Sequence, residues 1–306
     1  MTSFRRIALP GTAPEDVICL PDGRVVTGLD DGRLLSVEPS TGEISVLADT
    51  AGRLLGLDYG ADGSIYICDH DRGLLVLDPD RSRARVLVDT VDGRPLRFAS
   101  NVAHASDGTL YFSSSSQNFM FDRWRADIIE HSGTGRLMRL SPSGEVQVLR
   151  DDLQFANGVV LGPGEDYVLV AETGASRISR YWLTGPAAGT SEVFLYGLGG
   201  YPDNMSIGSD GRLWVALASP RNAVLEGIFR LPLRARKVLA RAPQGVGPTP
   251  EEVVWVQAFD FDGTMAREVR IDDLDFGFVT AVAERDGVLY LGTILGNALG
   301  VLDLRS

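Results

Sequence analysis

The chain has 306 residues, of which 44% are apolar, so it can bury a large core, and its formal net charge of −12 argues against nucleic-acid binding. No run of eighteen apolar residues predicts a membrane span, and residues 1–11 lack the apolar segment of a signal peptide. Cys19 and Cys68 are too few for a disulfide framework and lie in apolar, strand-like runs, as core thiols do. We therefore predict a cytoplasmic protein that binds neither nucleic acid nor a membrane.

A turn followed by a strand recurs along the chain. Asp-Gly supplies the positive φ of a tight hairpin turn, and each copy precedes a run rich in β-branched and aromatic residues. The copies lie at residues 22–23, 62–63, 107–108, 210–211 and 286–287. A second hairpin usually follows, so each unit has about four strands and a period of about 40–50 residues.

This period is typical of the blades of a β-propeller. Units beginning at positions 22, 62, 107, about 165, 210 and 286 predict an all-β, six-bladed β-propeller, although five or seven blades also fit the spacing. The long interval after 210 carries additional strand signal at residues 253–261, and residues 5–9 are expected to supply the strand that closes the ring. No linker divides the chain, so we predict a single domain over residues 1–306.

The segment 119–131 interrupts the alternation of the strands. Phe119, Trp124, Ile128 and Ile129 are spaced closer to helical than to strand periodicity. This spacing predicts a short helical insertion that covers the mouth of the central tunnel as a lid. The alternative is a surface helix packed on its own blade.

Several motifs of the central region resemble a known family. The stretch Phe155-Ala-Asn-Gly-Val-Val-Leu, with Val170-Ala-Glu-Thr and Arg177-Ile-Ser-Arg-Tyr-Trp-Leu after it, is similar to strictosidine-synthase-like proteins, as is Gly200-Tyr-Pro-Asp-Asn-Met. These proteins share a superfamily with the senescence-marker-30/gluconolactonase proteins, the paraoxonases and diisopropylfluorophosphatase. The resemblance is densest over residues 96–217 and looser at 14–16 and 284–300.

The resemblance implies a calcium or other divalent ion at the centre of the tunnel. In the hydrolases of the superfamily a glutamate, two asparagines and an aspartate bind this ion, and the matching positions here are Glu15, Asn101, Asn157 and Asp203. Carboxylate and amide oxygens suit a hard cation better than zinc. Without the resemblance, an Asn or Asp before a turn would be read as ordinary turn chemistry.

Two branches of the superfamily differ in their chemistry. The resemblance implies that condensing enzymes use a glutamate of the last blade without metal, but that position falls near Thr280 here, and Glu284 belongs to the turn motif. We therefore predict a metal-dependent hydrolase of a lactone or ester, with Asp203 as base or nucleophile and with Asn101 and Asn157 orienting a small-molecule substrate. A condensing enzyme and a non-catalytic binding propeller are the alternatives, and the oligomeric state is left open.

Other polar residues give weaker signals. His70 follows Cys68-Asp69 and is expected either to line the pocket as an acid–base helper or to lie in a surface loop. Arg123 and Arg125 of the lid segment would meet an anionic substrate or face solvent. Val102 and Ser114 stand where many relatives carry an aspartate, a departure that could weaken a second ion or an outer contact.

Three further polar side chains are expected to be structural. His104 lies three residues after Asn101 and would occupy the opposite face of the strand. His131 ends the lid segment and carries little signal. Glu172 lies in a well-matched motif and is predicted to serve the packing of its blade.

Overall fold

The computed structural model describes residues 3–80, 83–243, 247–272 and 275–305. Within these residues the strands form six four-stranded antiparallel sheets and one small hairpin, and the all-β, six-bladed propeller is confirmed. Strand β1 (Ser3–Ala8) comes first in the chain but belongs to the last blade.

The other strands follow in chain order. The first blade contains β2 (Val17–Cys19), β3 (Val25–Gly28), β4 (Arg33–Val37) and β5 (Ile44–Asp49), and the second contains β6 (Leu54–Tyr59), β7 (Ile65–Asp69), β8 (Gly73–Leu77) and β9 (Ala84–Val88). The hairpin β10 (Thr90–Val91) and β11 (Arg94–Pro95) leads to the third blade, β12 (Ala99–His104), β13 (Leu110–Ser114), β14 (Gly135–Leu140) and β15 (Val146–Leu153).

The remaining three blades complete the ring. The fourth contains β16 (Ala156–Leu161), β17 (Tyr167–Glu172), β18 (Arg177–Trp182) and β19 (Ser191–Leu195). The fifth contains β20 (Gly200–Ile207), β21 (Leu213–Pro220), β22 (Val254–Phe259) and β23 (Met265–Ile271), and the sixth contains β24 (Val279–Arg285), β25 (Val288–Thr293) and β26 (Ala298–Asp303) together with β1. Strand β22 confirms the strand signal at 253–261.

The recurring Asp-Gly turns join the first strand of a blade to its second strand. Gly23 and Gly63 adopt φ values of +95° and +89°, which a residue with a Cβ rarely adopts. At the unit near 165 a 3₁₀ turn, Pro163–Glu165, takes the place of Asp-Gly. The first strands of neighbouring blades contact one another around the axis, so residues just before and within them face the tunnel.

The ring is closed by pairing strands from the two ends of the chain. Strand β1 pairs with β26 in antiparallel register from Ser3 opposite Asp303 to Ala8 opposite Ala298. Ile7 is buried and packs with Leu299 between the sixth and first blades. The closing strand predicted at residues 5–9 is thus confirmed, with its bounds two residues apart at the start and one at the end.

Apolar side chains between adjacent blades form the core. Val160 of the fourth blade packs with Leu217 of the fifth, and Cys68 of the second packs with Phe112 of the third. Cys68 is buried and Cys19 is half-buried, and both are free thiols. Each sheet therefore buries both faces against its neighbours, as face-to-face packing of sheets requires.

Helices cover one end of the tunnel. A 3₁₀ turn, Phe121–Arg123, and helix α1 (Trp124–Glu130) lie between β13 and β14, which confirms the helical insertion predicted at 119–131. Helices α2 (Ala223–Phe229) and α3 (Leu233–Leu239) lie between β21 and β22, were not predicted, and pack against α1. No helix in the described part of the chain is long and apolar enough to span a membrane.

Candidate functional site

The tunnel residues come from backbone positions that repeat from blade to blade. Ala13, Phe98, Phe155 and Phe278 all have φ between +51° and +58°, in the left-handed region. Each lies two residues before a tunnel residue, so the same local turn aims Glu15, Ser100, Asn157 and Thr280 into one cavity. The strands that follow also shift register between Ala99 and Val102 and between Ala156 and Val159, a bulge that redirects side chains.

The repeated turn places Ser100, and not Asn101, at the ring position equivalent to Asn157. The sequence contains a signal for this, because Phe98-Ala-Ser aligns with Phe155-Ala-Asn and so pairs Ser100 with Asn157. The alignment of Ala-Ser-Asn-Val with Ala-Asn-Gly-Val pairs Asn101 with Asn157 instead and is wrong by one residue. Ser100 lines the same cavity as Asn157, whereas Asn101 lines a second cavity at the opposite opening of the tunnel. The metal-binding and substrate-binding roles of Asn101 stay predictions.

The side chain of Asn101 has hydrogen bonds at both ends. Its Nδ2 donates to Asp16 Oδ2 at 3.2 Å and to Asn204 Oδ1 at 3.1 Å, and its Oδ1 accepts from the backbone nitrogen of Val159 at 2.9 Å. Asn204 in turn donates from Nδ2 to both oxygens of Glu15, at 3.2 and 3.3 Å. Asn204, which the sequence analysis missed, therefore links the two acidic neighbours Glu15 and Asp16 through Asn101.

Three of the predicted tunnel residues, Glu15, Asn157 and Asp203, lie on the floor of one cavity. Asn157 Oδ1 accepts from the Ser100 hydroxyl at 2.9 Å, and its Nδ2 donates to the Thr173 hydroxyl at 3.4 Å. Asp203 is 7% exposed, and within the described residues its Oδ1 is buried without a hydrogen-bond partner. An orphaned buried carboxylate oxygen is costly unless another group completes its environment.

Burial and mutual repulsion dominate the electrostatics of this floor. Burial, then the nearby carboxylates of Asp203 and Asp16, raise the pKa of Glu15 well above its usual range. Burial and the charge of Asp16 also raise the pKa of Asp203 well above its usual range, whereas a hydrogen bond from Asn157 lowers it. Burial raises the pKa of Asp16 to about 7 despite backbone hydrogen bonds from Leu57 and Val17. A positive charge among these groups would relieve their repulsion.

The donor set suits a hard cation. Glu15 and Asp203 offer carboxylate oxygens, and Asn157 and Ser100 offer neutral amide and hydroxyl oxygens. No group of three or more His, Cys, Asp and Glu side chains in the described residues is arranged to hold a metal ion. A cation at this place would therefore depend on the neutral oxygens as well as on the two carboxylates.

The walls and roof of the cavity are apolar and aromatic. Phe98 packs edge-on against Phe155, with ring centroids 5.4 Å apart, and Trp124 and Ile128 of α1 line the space above them. The lid prediction for this helix agrees with its place over the cavity. Arg123 and Arg125 also line the cavity, and Arg123 Nη2 donates to the carbonyl of Ala240 just beyond α3 at 2.8 Å.

His70 lies beneath the lid and outside the cavity lining. Its Nε2 accepts from the backbone nitrogen of Phe121 at 2.8 Å, its Nδ1 lies 2.9 Å from Asp71 Oδ1, and its ring is edge-on to Phe98 and Phe121. At 6% exposure it is not a surface-loop histidine. The acid–base role of His70 stays a prediction, and its contacts show that it positions the start of the lid.

The remaining candidates lie away from the cavity floor. His104 contacts Asp58 at the opposite opening, where Glu284 also lies, and His131 ends α1 and stacks on Phe229. Glu172 is buried and pairs with Arg177 at 2.7 Å within its blade.

The structure also shows where Thr280 of the last blade and the two departures from the family pattern, Val102 and Ser114, lie. Thr280 occupies the equivalent ring position and donates to the backbone oxygen of Glu15 at 2.6 Å, so no carboxylate stands there. Val102 is buried, and the hydroxyl of Ser114 donates to the carbonyl of Arg97 at 3.0 Å.

A six-bladed propeller with acidic and amide side chains at the floor of its tunnel defines the structural class, and sequence comparisons define the family. The pattern described as Strictosidine synthase matches residues 100–186, and that described as Strictosidine synthase-like, N-terminal, matches residues 1–37. The chain is 31% identical over 298 residues to Protein STRICTOSIDINE SYNTHASE-LIKE 6 of Arabidopsis thaliana, covering 95% of this chain and 79% of that protein. The chain belongs to the strictosidine synthase-like family.

Other relatives extend the comparison. The adipocyte plasma membrane-associated protein of Rattus norvegicus is 31% identical over 320 residues, covering 96% of this chain and 84% of that protein. A gluconolactonase from Xanthomonas campestris has the same fold, with a TM-score of 0.70 at 18% identity over 99% of this chain and 89% of that one. The resemblance to strictosidine-synthase-like proteins stated from the motifs is thereby confirmed, and the fold is shared with the gluconolactonase.

Proposed function

We propose that this protein is a calcium-dependent hydrolase of carboxylic esters or lactones that have an apolar body. The observation that carries the proposal is the orphaned carboxylate oxygen of Asp203 on the floor of an apolar cavity, with Glu15 and Asn157 beside it. A polar floor under apolar walls suits a substrate that is hydrophobic except at its reacting group. The gluconolactonase of the same fold lends this reaction class support by analogy.

Glu15, Asp203 and Asn157, with the hydroxyl of Ser100, would hold the cation. When bound, it would polarise the carbonyl oxygen of the substrate and complete the environment of Asp203 Oδ1. The hydrogen bonds from Asn204 to Glu15 fix the direction of that carboxylate. The hydrogen bonds of Asn157 with Ser100 and Thr173 fix its amide in the same way.

The chain's own residues would do three things to the substrate. The carboxylate of Asp203 would act as the base that takes a proton from water, or as the nucleophile itself. Asn157 would orient the reacting carbonyl. Phe98, Phe155 and Trp124 would hold the apolar body and exclude bulk water from the floor.

The condensing reaction has less support from the site. The last blade presents Thr280 to the cavity, and its hydroxyl is committed to the backbone of Glu15. Glu284 lies at the other opening, where it accepts from Ser209. Cytoplasmic location stays a prediction.

Asp203→Asn tests the proposal directly. The substitution preserves shape but removes the negative charge, so we expect the bound calcium to be lost and hydrolysis to fall roughly 10²–10⁴-fold. Calcium content is measured by elemental analysis, and turnover by release of an aromatic alcohol from a medium-chain ester and by opening of a medium-chain lactone. Asp151→Asn, at an exposed position, is the matched control and should leave both unchanged.

Two outcomes would contradict the proposal. Turnover by the wild-type protein that survives a calcium chelator would remove the cation from the reaction. Calcium binding without turnover on either substrate class would instead favour the non-catalytic binding propeller.

A further inference from the structure

The segment that contains α2 and α3 differs in composition from the rest of the chain. Residues 221–241 have six basic residues and one acidic residue, a formal charge of +5, whereas the whole chain carries −12. The basic residues are Arg221, Arg230, Arg234, Arg236, Lys237 and Arg241, and the acidic one is Glu226. A positive region on a strongly acidic protein indicates an anionic partner.

The same segment also exposes large apolar side chains. Five of the twelve exposed large hydrophobic residues in the described part of the chain fall within it. They are Val224 (63%), Leu231 (40%), Leu233 (41%), Val238 (66%) and Leu239 (40%). Single exposed apolar residues are ordinary, but a cluster next to a cavity marks an interaction surface.

Helix α3 separates an inner and an outer face. On the inner face Arg236 Nη1 donates to the carbonyls of Glu130 and His131 at 2.9 and 2.7 Å, which ties α3 to the end of α1. On the outer face Arg234, Lys237 and Val238 are exposed at helical spacing.

Four basic side chains of this outer surface are exposed to solvent. Within the described residues, no hydrogen bond or ion pair engages the side chains of Arg230, Arg234, Lys237 and Arg241. Their charges are therefore available to an external anion, unlike that of Arg221, which pairs with Glu226 at 2.6 Å.

This surface is continuous with the mouth of the cavity. Leu239, Ala242 and Pro243 line the cavity, and Leu239 is also partly exposed to solvent. A hydrophobic molecule that leaves an apolar phase at the outer face of α3 would thus meet the entrance next to Leu239.

We propose that the outer surface of α2 and α3 docks onto an anionic phospholipid bilayer. The arginines and the lysine would bind the phosphate and carboxylate groups of the lipids, and Val224, Leu233 and Val238 would insert among the headgroups. Nucleic acid fits less well, because the exposed side chains of the segment include no aromatic ring to stack on bases. This proposal departs from the prediction that the protein does not bind a membrane, which rested on the lack of an apolar membrane span, and it does not depend on the proposed hydrolysis.

The test is co-sedimentation of the full chain with phospholipid vesicles. We expect binding to vesicles made of equal amounts of phosphatidylserine and phosphatidylcholine, weaker binding to pure phosphatidylcholine, and loss of binding at high salt. The variant Arg234→Glu/Lys237→Glu/Arg241→Glu should bind the anionic vesicles at least about tenfold more weakly. The variant Val224→Ser/Val238→Ser keeps the charge and should also bind more weakly, because it loses the inserting side chains.

A matched triple variant controls for net charge. Arg83→Glu/Arg85→Glu/Arg267→Glu changes the charge by the same amount on exposed residues within or next to the outer strands β9 and β23 and should bind like the wild type. Failure of the wild type to bind anionic vesicles would overturn the proposal, as would equal losses in the two triple variants. Binding to an acidic polypeptide such as polyglutamate but not to vesicles would overturn it too, and would assign the surface to an acidic protein. Thermal melting of each variant shows whether it is folded.

Discussion

At the scale of single residues, two amide side chains hold together a set of carboxylates that would otherwise repel one another. Asn204 donates to both oxygens of Glu15, and Asn101 donates to Asn204 and to Asp16. These hydrogen bonds favour the charged form of carboxylates that burial disfavours. The residues that organise this floor are therefore partly different from those that would touch a substrate.

Asn204→Ala should destabilise the protein by about 1–3 kcal/mol, because it leaves the buried carboxylate of Glu15 without its amide donor. Urea unfolding in the presence of a calcium chelator measures this loss apart from any effect on metal binding. Asn118→Ala, at an exposed position, is the control and should change the free energy of unfolding by less than about 0.5 kcal/mol. Equal values for the two variants would show that the bond to Glu15 contributes nothing.

The residue scale is also where sequence reasoning was least exact. Glu15, Asn157 and Asp203 meet on the cavity floor, as the motifs predict. Asn101 does not join them, because the left-handed turn at Phe98 aims Ser100 into the cavity and the next residue faces the other way. A one-residue shift along a strand reverses the face of every side chain, and here only the alignment of Phe98-Ala-Ser with Phe155-Ala-Asn marks the shift in the sequence.

At the scale of elements, the lid carries an acidic side chain in an unfavourable environment. Asp127 of α1 is 3% exposed and accepts a hydrogen bond from the Ser116 hydroxyl. Burial, and to a lesser degree the charge of Glu130, raise its pKa to about 7, although the bond from Ser116 lowers it. The folded lid thus prefers the protonated carboxyl, whereas the unfolded chain ionises near the ordinary value of about 4.

Asp127→Asn should therefore change how stability depends on pH. Because the pKa of this carboxyl is raised in the fold, the free energy of unfolding of the wild-type protein falls as pH rises from about 4 to about 7, and it falls no further above that window. At pH values near 4 the variant and the wild type should be similarly stable. Well above pH 7 the variant should be more stable, by roughly 4 kcal/mol at most.

Urea unfolding across this pH range checks the prediction. Asp122→Asn, on an exposed residue of the preceding 3₁₀ turn, is the control and should run parallel to the wild type. If the free energy of unfolding of Asp127→Asn also follows that of the wild type across the pH range, the carboxyl of Asp127 has the same pKa in the folded and unfolded chain.

The elements show why one helix was predicted and two were not. In α1 the apolar residues are spaced for one buried face, so the pattern predicts a helix. In α3 the apolar residues Leu233, Val238 and Leu239 are exposed and so are not spaced for a buried face. The side of α3 that faces the protein carries Arg236, which donates to the carbonyl of Glu130 at the end of α1, and it is followed by the buried Ala240. A helix whose apolar residues face outward gives no periodic signal of burial.

At the scale of the whole molecule, the local turns account for most of what could be predicted. Asp-Gly pairs and the short apolar runs after them predict hairpins, and their period predicts the number of blades. The closing strand was also predictable, because a ring needs a partner for the free edge of its last sheet. The place of α1 over the tunnel was predicted, but its packing against α2 and α3 depends on contacts between distant residues and could not be read from the sequence.

Ile7→Ala tests how much ring closure contributes to stability. Ile7 is 5% exposed and packs between the sixth and first blades, so the substitution should cost about 2–4 kcal/mol by leaving a cavity in the seam. Val46→Ala, on the outer strand of the first blade and 56% exposed, should cost less than about 1 kcal/mol. Equal melting temperatures of the two variants in thermal unfolding would contradict a stabilising role for the packing between the sixth and first blades.

The pairing of β1 with β26 also sets an order on folding during synthesis. The ribosome releases Ser3–Ala8 well before Ala298–Asp303, so β1 has no partner while the blades between these two strands are made. At ordinary elongation rates this wait lasts roughly tens of seconds. For that time the nascent chain has an open strand edge at each end of its growing arc, where another nascent copy could pair. Chaperones that shield the unpaired strand β1 would therefore affect the yield of this protein more than its final stability.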